Sequence, residues 1–113
     1  MPEMISDIVH VFSIQARNLL NDRLSKIILY GSYARGDFCG NSDIDIMILV
    51  TGMSEELIRV AEERLCEVSF DMELEKGVHI SAIIKDEGQF KTWENIIPFY
   101  YNVGREGIEI SVE

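Results

Sequence analysis

The order of apolar and polar positions divides the chain into alternating helical and extended segments. From about Ser6 to Asn21, apolar side chains at Ile8, Val11, Phe12, Ala16, Leu19 and Leu20 recur with the period of a helix, and Ser6 is placed to act as its N-cap. The pattern then shortens. Lys26-Ile27-Ile28-Leu29-Tyr30 is a β-branched run stopped by Gly31, as expected of a buried strand that delivers the chain into a tight turn. In the next run, Asp43 to Val50, side chains alternate faces, so Asp43 and Asp45 project together while Ile44, Ile46 and Ile48 take the other side.

Ser54-Glu55-Glu56 offers a capping hydroxyl followed by acids that suit the first turn of a helix, and Gly77 is a plausible C′ residue. A helix is therefore expected from Glu55 to about Lys76. Its apolar stripe is Leu57, Ile58, Ala61, Leu65, Val68 and Met72, and its wet side is Glu62, Glu63, Arg64 and Glu67. Val78 to Ile84 follows as a strand, with Val78, Ile80, Ala82 and Ile84 on one face and His79, Ser81 and Ile83 on the other. Asp86 to Trp93 predicts a short helix, and Pro98 should start another that carries Phe99, Tyr100, Tyr101 and Val103 and ends at Gly104. Phe90, Trp93, Phe99, Tyr100 and Tyr101 are expected to seal a core rather than stack on bases, because no basic residues interleave with them. The tail Gly107 to Glu113 alternates like an exposed edge strand. This order predicts an α/β fold, a small mixed sheet flanked by helices, with residues 1–113 forming a single domain.

Charge and cysteine content narrow the function classes. The formal net charge of −10 disfavours broad binding to a nucleic-acid backbone. No apolar run approaches the roughly 20 residues needed to span a bilayer. Cys39 and Cys66 follow no metal or disulfide spacing, which with no signal peptide points to a reducing cytoplasm; Cys66 falls in a helical pattern and is expected to be a core thiol. His10 lies off the first apolar stripe and is expected at the surface.

The chemistry is concentrated between residues 30 and 46. Gly31 lacks a Cβ, so a ligand can approach the backbone, and a helical turn beginning near Ser32 would aim free N–H groups at it. That suits phosphate. Asp43 and Asp45, about 7 Å apart at Cα by the strand rise, can converge on one hard cation such as Mg²⁺, which completes its octahedron with water and substrate phosphates. Phosphoryl transfer on a metal–nucleotide is the chemistry implied. The loop Asp37-Phe38-Cys39-Gly40-Asn41 separates the two halves, and Ser42 is placed to hydrogen-bond the following backbone and set the angle at which Asp43 leaves the turn. Asp37 is expected to be solvated.

Gly31-Ser32, Ala34-Arg35-Gly36 and Ser42-Asp43-Ile44-Asp45 resemble the G-S-x-A-R-G … S-D-x-D signature of the polymerase β-like nucleotidyltransferases, in particular the minimal nucleotidyltransferases of bacteria and archaea. The resemblance implies a polymerase β palm-like fold and Mg²⁺-dependent transfer of a nucleoside monophosphate from an NTP, ATP being the expected donor. The acceptor would be a hydroxyl of a protein or small molecule, and pyrophosphate would be released. On that analogy Asp43 and Asp45 are the catalytic metal ligands and Gly31, Ser32, Arg35 and Ser42 bind the nucleotide. Active relatives commonly carry a third acid on the strand that here holds His79 and Ser81; the nearest carboxylates in this chain are Asp71, Glu73 and Glu75. That departure leaves two readings open. In one, Asp71, Glu73 or a partner's carboxylate completes an enzyme; in the other, the domain is a weak or inactive interaction module, an antitoxin-like partner of a HEPN-domain protein. A homodimer would also supply a second surface, and transfer to an aminoglycoside-like small molecule has no acceptor-site signal.

Overall fold

The structure is a computed structural model that describes residues 1–112. Helix α1 (Glu3–Leu20) begins earlier than the periodicity predicts. Pro2 occupies the N-cap position and its carbonyl accepts the Ser6 N–H at 3.0 Å, so Ser6 sits inside the helix and does not cap it. A 3-10 turn (Asn21–Arg23) leads into strand β1 (Leu24–Tyr30), followed by the one-turn helix α2 (Ser32–Arg35) and strand β2 (Ile44–Val50). Helix α3 (Glu55–Lys76) has the expected limits: the Ser54 hydroxyl accepts the Leu57 N–H at 3.2 Å, and Gly77 closes it in the left-handed conformation. Strand β3 (Ile80–Asp86), helix α4 (Glu87–Trp93), helix α5 (Pro98–Glu106) and the two-residue strand β4 (Ile108–Glu109) complete the chain.

The sheet order is β3-β2-β1-β4, with β2 and β3 parallel and the other pairs antiparallel. A parallel pair needs a long crossover, and α3 supplies it. The expected mixed α/β sheet flanked by helices is thus the observed one. Helices α1 and α3 cover one face, where Phe12, Ala16 and Leu65 meet Ile27, Leu29, Ile44, Ile46, Ile48 and Ile80. Helices α4 and α5 cover the other, where Phe90, Tyr100 and Val103 meet Ile28, Met47 and Leu49. Strand β2 is therefore dry on both sides from Ile46 onward, which is why its sequence loses alternation after Asp45.

Several expectations shift. Helix α1 is rotated so that Ile5 and Val9 join the core while Val11 is 48% exposed. In α3, Leu57 is exposed, and so is Cys66, which is no core thiol. Glu62 is not purely a wet-side residue either: its Oε2 accepts the Ile84 N–H of the edge strand β3 at 2.8 Å, satisfying a donor that lacks a neighbouring strand. Strand β1 starts two residues before Lys26, and β3 starts at Ile80 and runs on to Asp86. Gly104 does not stop α5, which ends at Glu106. Of the aromatic cluster, Phe90 and Tyr100 are buried, but Phe99 and Tyr101 are exposed. The tail forms an edge strand only at Ile108–Glu109, extended by the Ile110 N–H to the Ile27 carbonyl at 2.8 Å, and Glu113 lies outside the described residues. Among the described residues no helix is long and apolar enough to cross a membrane.

The rotation of α1 is measurable. Phe12→Ala removes a fully buried ring and should lower the unfolding free energy by about 3–5 kcal/mol, whereas Val11→Ala should change it by less than about 1 kcal/mol, both read from urea denaturation midpoints.

Candidate functional site

Strand β1 ends at Tyr30, and the chain must then reverse direction within a residue. Gly31 makes the turn at φ 75 and ψ −156, a region open essentially to glycine alone. Its carbonyl accepts the N–H groups of Ala34 and Arg35 at 3.1 and 3.0 Å, which winds α2, and Gly36 ends that helix at φ 86. The N–H groups of Ser32 and Tyr33 precede the first intrahelical bond and are left for another acceptor.

The antiparallel register then decides what faces the turn. Tyr30 pairs with Asp45, so the Asp45 carboxylate lies against the bare Cα of Gly31, and a Cβ there would collide with its Oδ2. Asp45 is half-buried and Asp43, at the mouth of β2, is exposed. Burial raises the Asp45 carboxyl above the ordinary aspartate range, the Asp43 charge adds to the rise, and Arg35 and His79 oppose it. On the other side of the pair, burial together with Asp45 and Tyr100 pushes the Tyr30 phenol up to about 12.

The two acids open onto different hollows. Asp45 lines a hollow of about 520 Å³ shared with Gly31, Ser32 and Arg35 on one wall and with Phe99, Asn102 and Glu106 of α5 on the other. Asp43 lines a hollow of about 640 Å³ with Tyr33, Phe38, Ser42, Glu73 and His79. Arg35 is exposed and ion-paired to Asp37 at 3.2 Å and to Glu106 at 3.6 Å, so Asp37 is solvent-facing but partnered. Ser42 bonds the preceding backbone, not the following one: its hydroxyl accepts the Cys39 N–H at 2.8 Å, closing the loop that leads into Asp43. The same hydroxyl lowers the Cys39 thiol, with help from the Asn41 backbone.

The parallel register of β2 and β3 sets Ser81 beside Asp45, so the strand offers a hydroxyl at the place where the resemblance expects an acid. Glu73 reaches the Asp43 hollow and holds His79 through Nδ1 at 2.9 Å. Asp71 and Glu75 face a groove between α1 and α3 instead. Among the described residues no three acidic, histidine or cysteine side chains gather into one metal cluster. The α5 wall was missed in the sequence. Phe99, Asn102 and Glu106 recur at helical spacing on one face, but a helix ended at Gly104 leaves Glu106 out and assigns Phe99 to the core.

Comparison with known proteins agrees with this architecture. The family model described as "Nucleotidyltransferase domain" matches residues 14–103. Two proteins of Methanocaldococcus jannaschii, both named "Putative protein adenylyltransferase", are 40% identical over 85 residues and 39% identical over 62 residues. The first match covers 75% of this chain and 76% of the relative, the second 50% and 63%, so part of each relative lies beyond the matched segment. Among solved structures, a "putative nucleotidyltransferase from Sulfolobus solfataricus" aligns with a TM-score of 0.61 and 19% identity over 91% of this chain and 76% of its own. A toxin–antitoxin structure with AMP-PNP aligns at 0.56 and 18% identity, covering 92% and 73%. A complex of the tri-AMPylated Shewanella oneidensis HEPN toxin with MNT antitoxin aligns at 0.53 and 15% identity, covering 95% and 72%. These structural likenesses concern the fold, and the sequence match reaches further. With the glycine turn, the paired acids and strands β1, β2 and β3 all lying within the matched segment, the chain belongs to the nucleotidyltransferase domain family.

Proposed function

We propose that this chain moves a nucleoside monophosphate from Mg²⁺–ATP to a hydroxyl of a protein acceptor, releasing pyrophosphate. The observation that carries the proposal is the close approach of the Asp45 carboxylate to Gly31, because it sets a tight glycine turn and an acid on one hollow. The N–H groups of Ser32 and Tyr33 would bind phosphate oxygens, and Arg35, already at the rim, would swing from Asp37 or Glu106 to meet them. Ser42 would act at one remove, by shaping the loop that presents Asp43.

Asp43 and Asp45 fit a divalent cation by their donor chemistry, since a pair of like charges that raises the proton affinity of Asp45 is relieved by a positive ion. Mg²⁺ bound there would neutralise charge on the phosphates and on the leaving pyrophosphate. The acceptor oxygen attacks the α-phosphorus, the bond from that phosphorus to the β-bridging oxygen breaks, and the acceptor proton is lost. The Asp43 hollow is the open approach for that oxygen. There His79, fixed through Nδ1 by Glu73, presents Nε2 as the group that would take the proton.

A protein acceptor is supported by the names of the Methanocaldococcus jannaschii relatives, and a HEPN-domain partner by the HEPN toxin in a structural neighbour. Such a partner, or a second copy of this chain, would supply an acceptor surface beyond the two hollows. A binding role without catalysis is the second reading, and Ser81 at the position expected of a third acid is the observation that favours it. Copurification from the native cell followed by incubation with α-labelled ATP separates the two: label on the partner supports transfer, and a stoichiometric complex that stays unlabelled supports binding alone.

Three outcomes are expected of the site. Asp45→Asn should weaken Mg²⁺–ATP binding by calorimetry at least about tenfold, and equal affinity in both proteins would refute the metal role. Gly31→Ala should do the same while costing about 1–3 kcal/mol of stability, from strain at positive φ and the collision with Asp45. The third outcome concerns pH. Because the folded state holds the Asp45 proton to higher pH than the unfolded chain does, ionising Asp45 costs stability, and that cost grows as pH rises through its raised range. Asp45→Asn should therefore melt higher than wild type at pH 7, and the gap should close near pH 3, where both side chains are neutral, as thermal unfolding across pH would show.

A further inference from the structure

The α5 wall of the Asp45 hollow has no part in the signature residues, yet it is built of side chains that suit a flat, hydrogen-bonding ligand. We infer that Phe99 and Asn102 form the nucleobase subsite, with Phe99 stacking on the base and the Asn102 amide reading its edge, so that adenine is preferred. This inference rests on the reading of the opposite wall as the triphosphate site.

Phe99 is 43% exposed although it packs against the buried Tyr100. Its edge contacts with Tyr30, at 5.7 Å and 83° between rings, and with Tyr100, at 5.3 Å and 74°, fix the ring while the hollow reaches its free surface. An aromatic ring immobilised in this way loses little entropy on stacking. Three residues on, one turn along the same face, Asn102 also lines the hollow, and among the described residues its amide makes no hydrogen bond. At the end of the stripe Glu106 pairs with Arg35 at 3.6 Å, which ties this wall to the turn facing it. The hollow of about 520 Å³ lies within the usual range for a small-molecule site.

The chemistry of an amide selects among bases. A carboxamide presents an acceptor and a donor side by side, which complements the adjacent N6 donor and ring-nitrogen acceptor of adenine. On the same N7 edge guanine offers O6 and N7, both acceptors, so an amide reading that edge would leave its oxygen facing another acceptor. Cytosine and uracil can match the amide, but they present less surface to Phe99. No lysine or arginine is needed for this wall, in keeping with a net charge of −10.

The test uses the intact chain and Mg²⁺ in calorimetric titrations with ATP, GTP, UTP and inorganic tripolyphosphate. Wild type should bind ATP more tightly than GTP or UTP, and all three more tightly than tripolyphosphate. Phe99→Ala should weaken ATP roughly tenfold or more and leave tripolyphosphate unchanged, while Phe99→Tyr, which keeps a stacking face, should retain most of the affinity. Asn102→Ala, at an exposed position, should bring ATP to within about threefold of GTP while UTP stays weaker. If tripolyphosphate binds and neither alanine variant changes ATP affinity, the base goes elsewhere and the inference fails while the triphosphate reading stands. If wild type binds neither ATP nor tripolyphosphate, the triphosphate reading fails and takes the base subsite with it.

Discussion

The approach of the Asp45 carboxylate to the backbone of Gly31 is the constraint on which the rest of the site depends. Two unrelated requirements meet at this point: the chain must leave β1 through a backbone conformation open essentially to glycine, and the neighbouring strand must project an acid toward the vacated Cβ position. The antiparallel pairing of Tyr30 with Asp45 supplies the second condition. A slip of one residue in that register would turn Ile44 or Ile46 toward the turn and send the acid into the core. The fold prevents it by covering both faces of β2, so that every residue from Ile46 to Val50 is buried and a slipped strand would have to bury Asp45 as well.

This packing carries an electrostatic cost. Asp45 is half-buried beside a second carboxylate, and Tyr30, itself half-buried, adds no positive charge. The apolar clusters on the two faces of the sheet hold that arrangement in place. In the proposed reading a cation relieves the repulsion and bridges the carboxylates to the triphosphate, so that the electrostatic cost of the free protein contributes to cation affinity.

The division of the acid pair between two hollows gives the proposed reaction a direction. Asp45 looks into the space bounded by the glycine turn and α5, and Asp43 into the space bounded by Glu73 and His79. A donor held in the first and an acceptor entering from the second would meet between the carboxylates. Ser81, not an acid, stands next to Asp45, while the histidine held by Glu73 lies on the Asp43 side.

Much of this was legible in the linear order of residues. Gly31, Asp43 and Asp45 stood out as candidates because the features that mark them are local backbone geometry, a missing side chain and the two-residue period of a strand, all written within a few positions. The limits of α3 were equally local, set by the Ser54 cap and the left-handed Gly77. What the tertiary structure decided were the contacts between distant segments. Which of Asp71, Glu73 and Glu75 reaches the acid pair depends on how far α3 has turned by its last coils, and there a helix that is polar on most sides gives little guidance. The exposure of Val11, Leu57 and Cys66 follows from the rotation of α1 and α3 against the sheet, which a periodic stripe leaves free by a residue or so. The α5 wall is the clearest case, because Phe99 is apolar enough to read as core and comes to line a hollow only where the glycine turn leaves space in front of it.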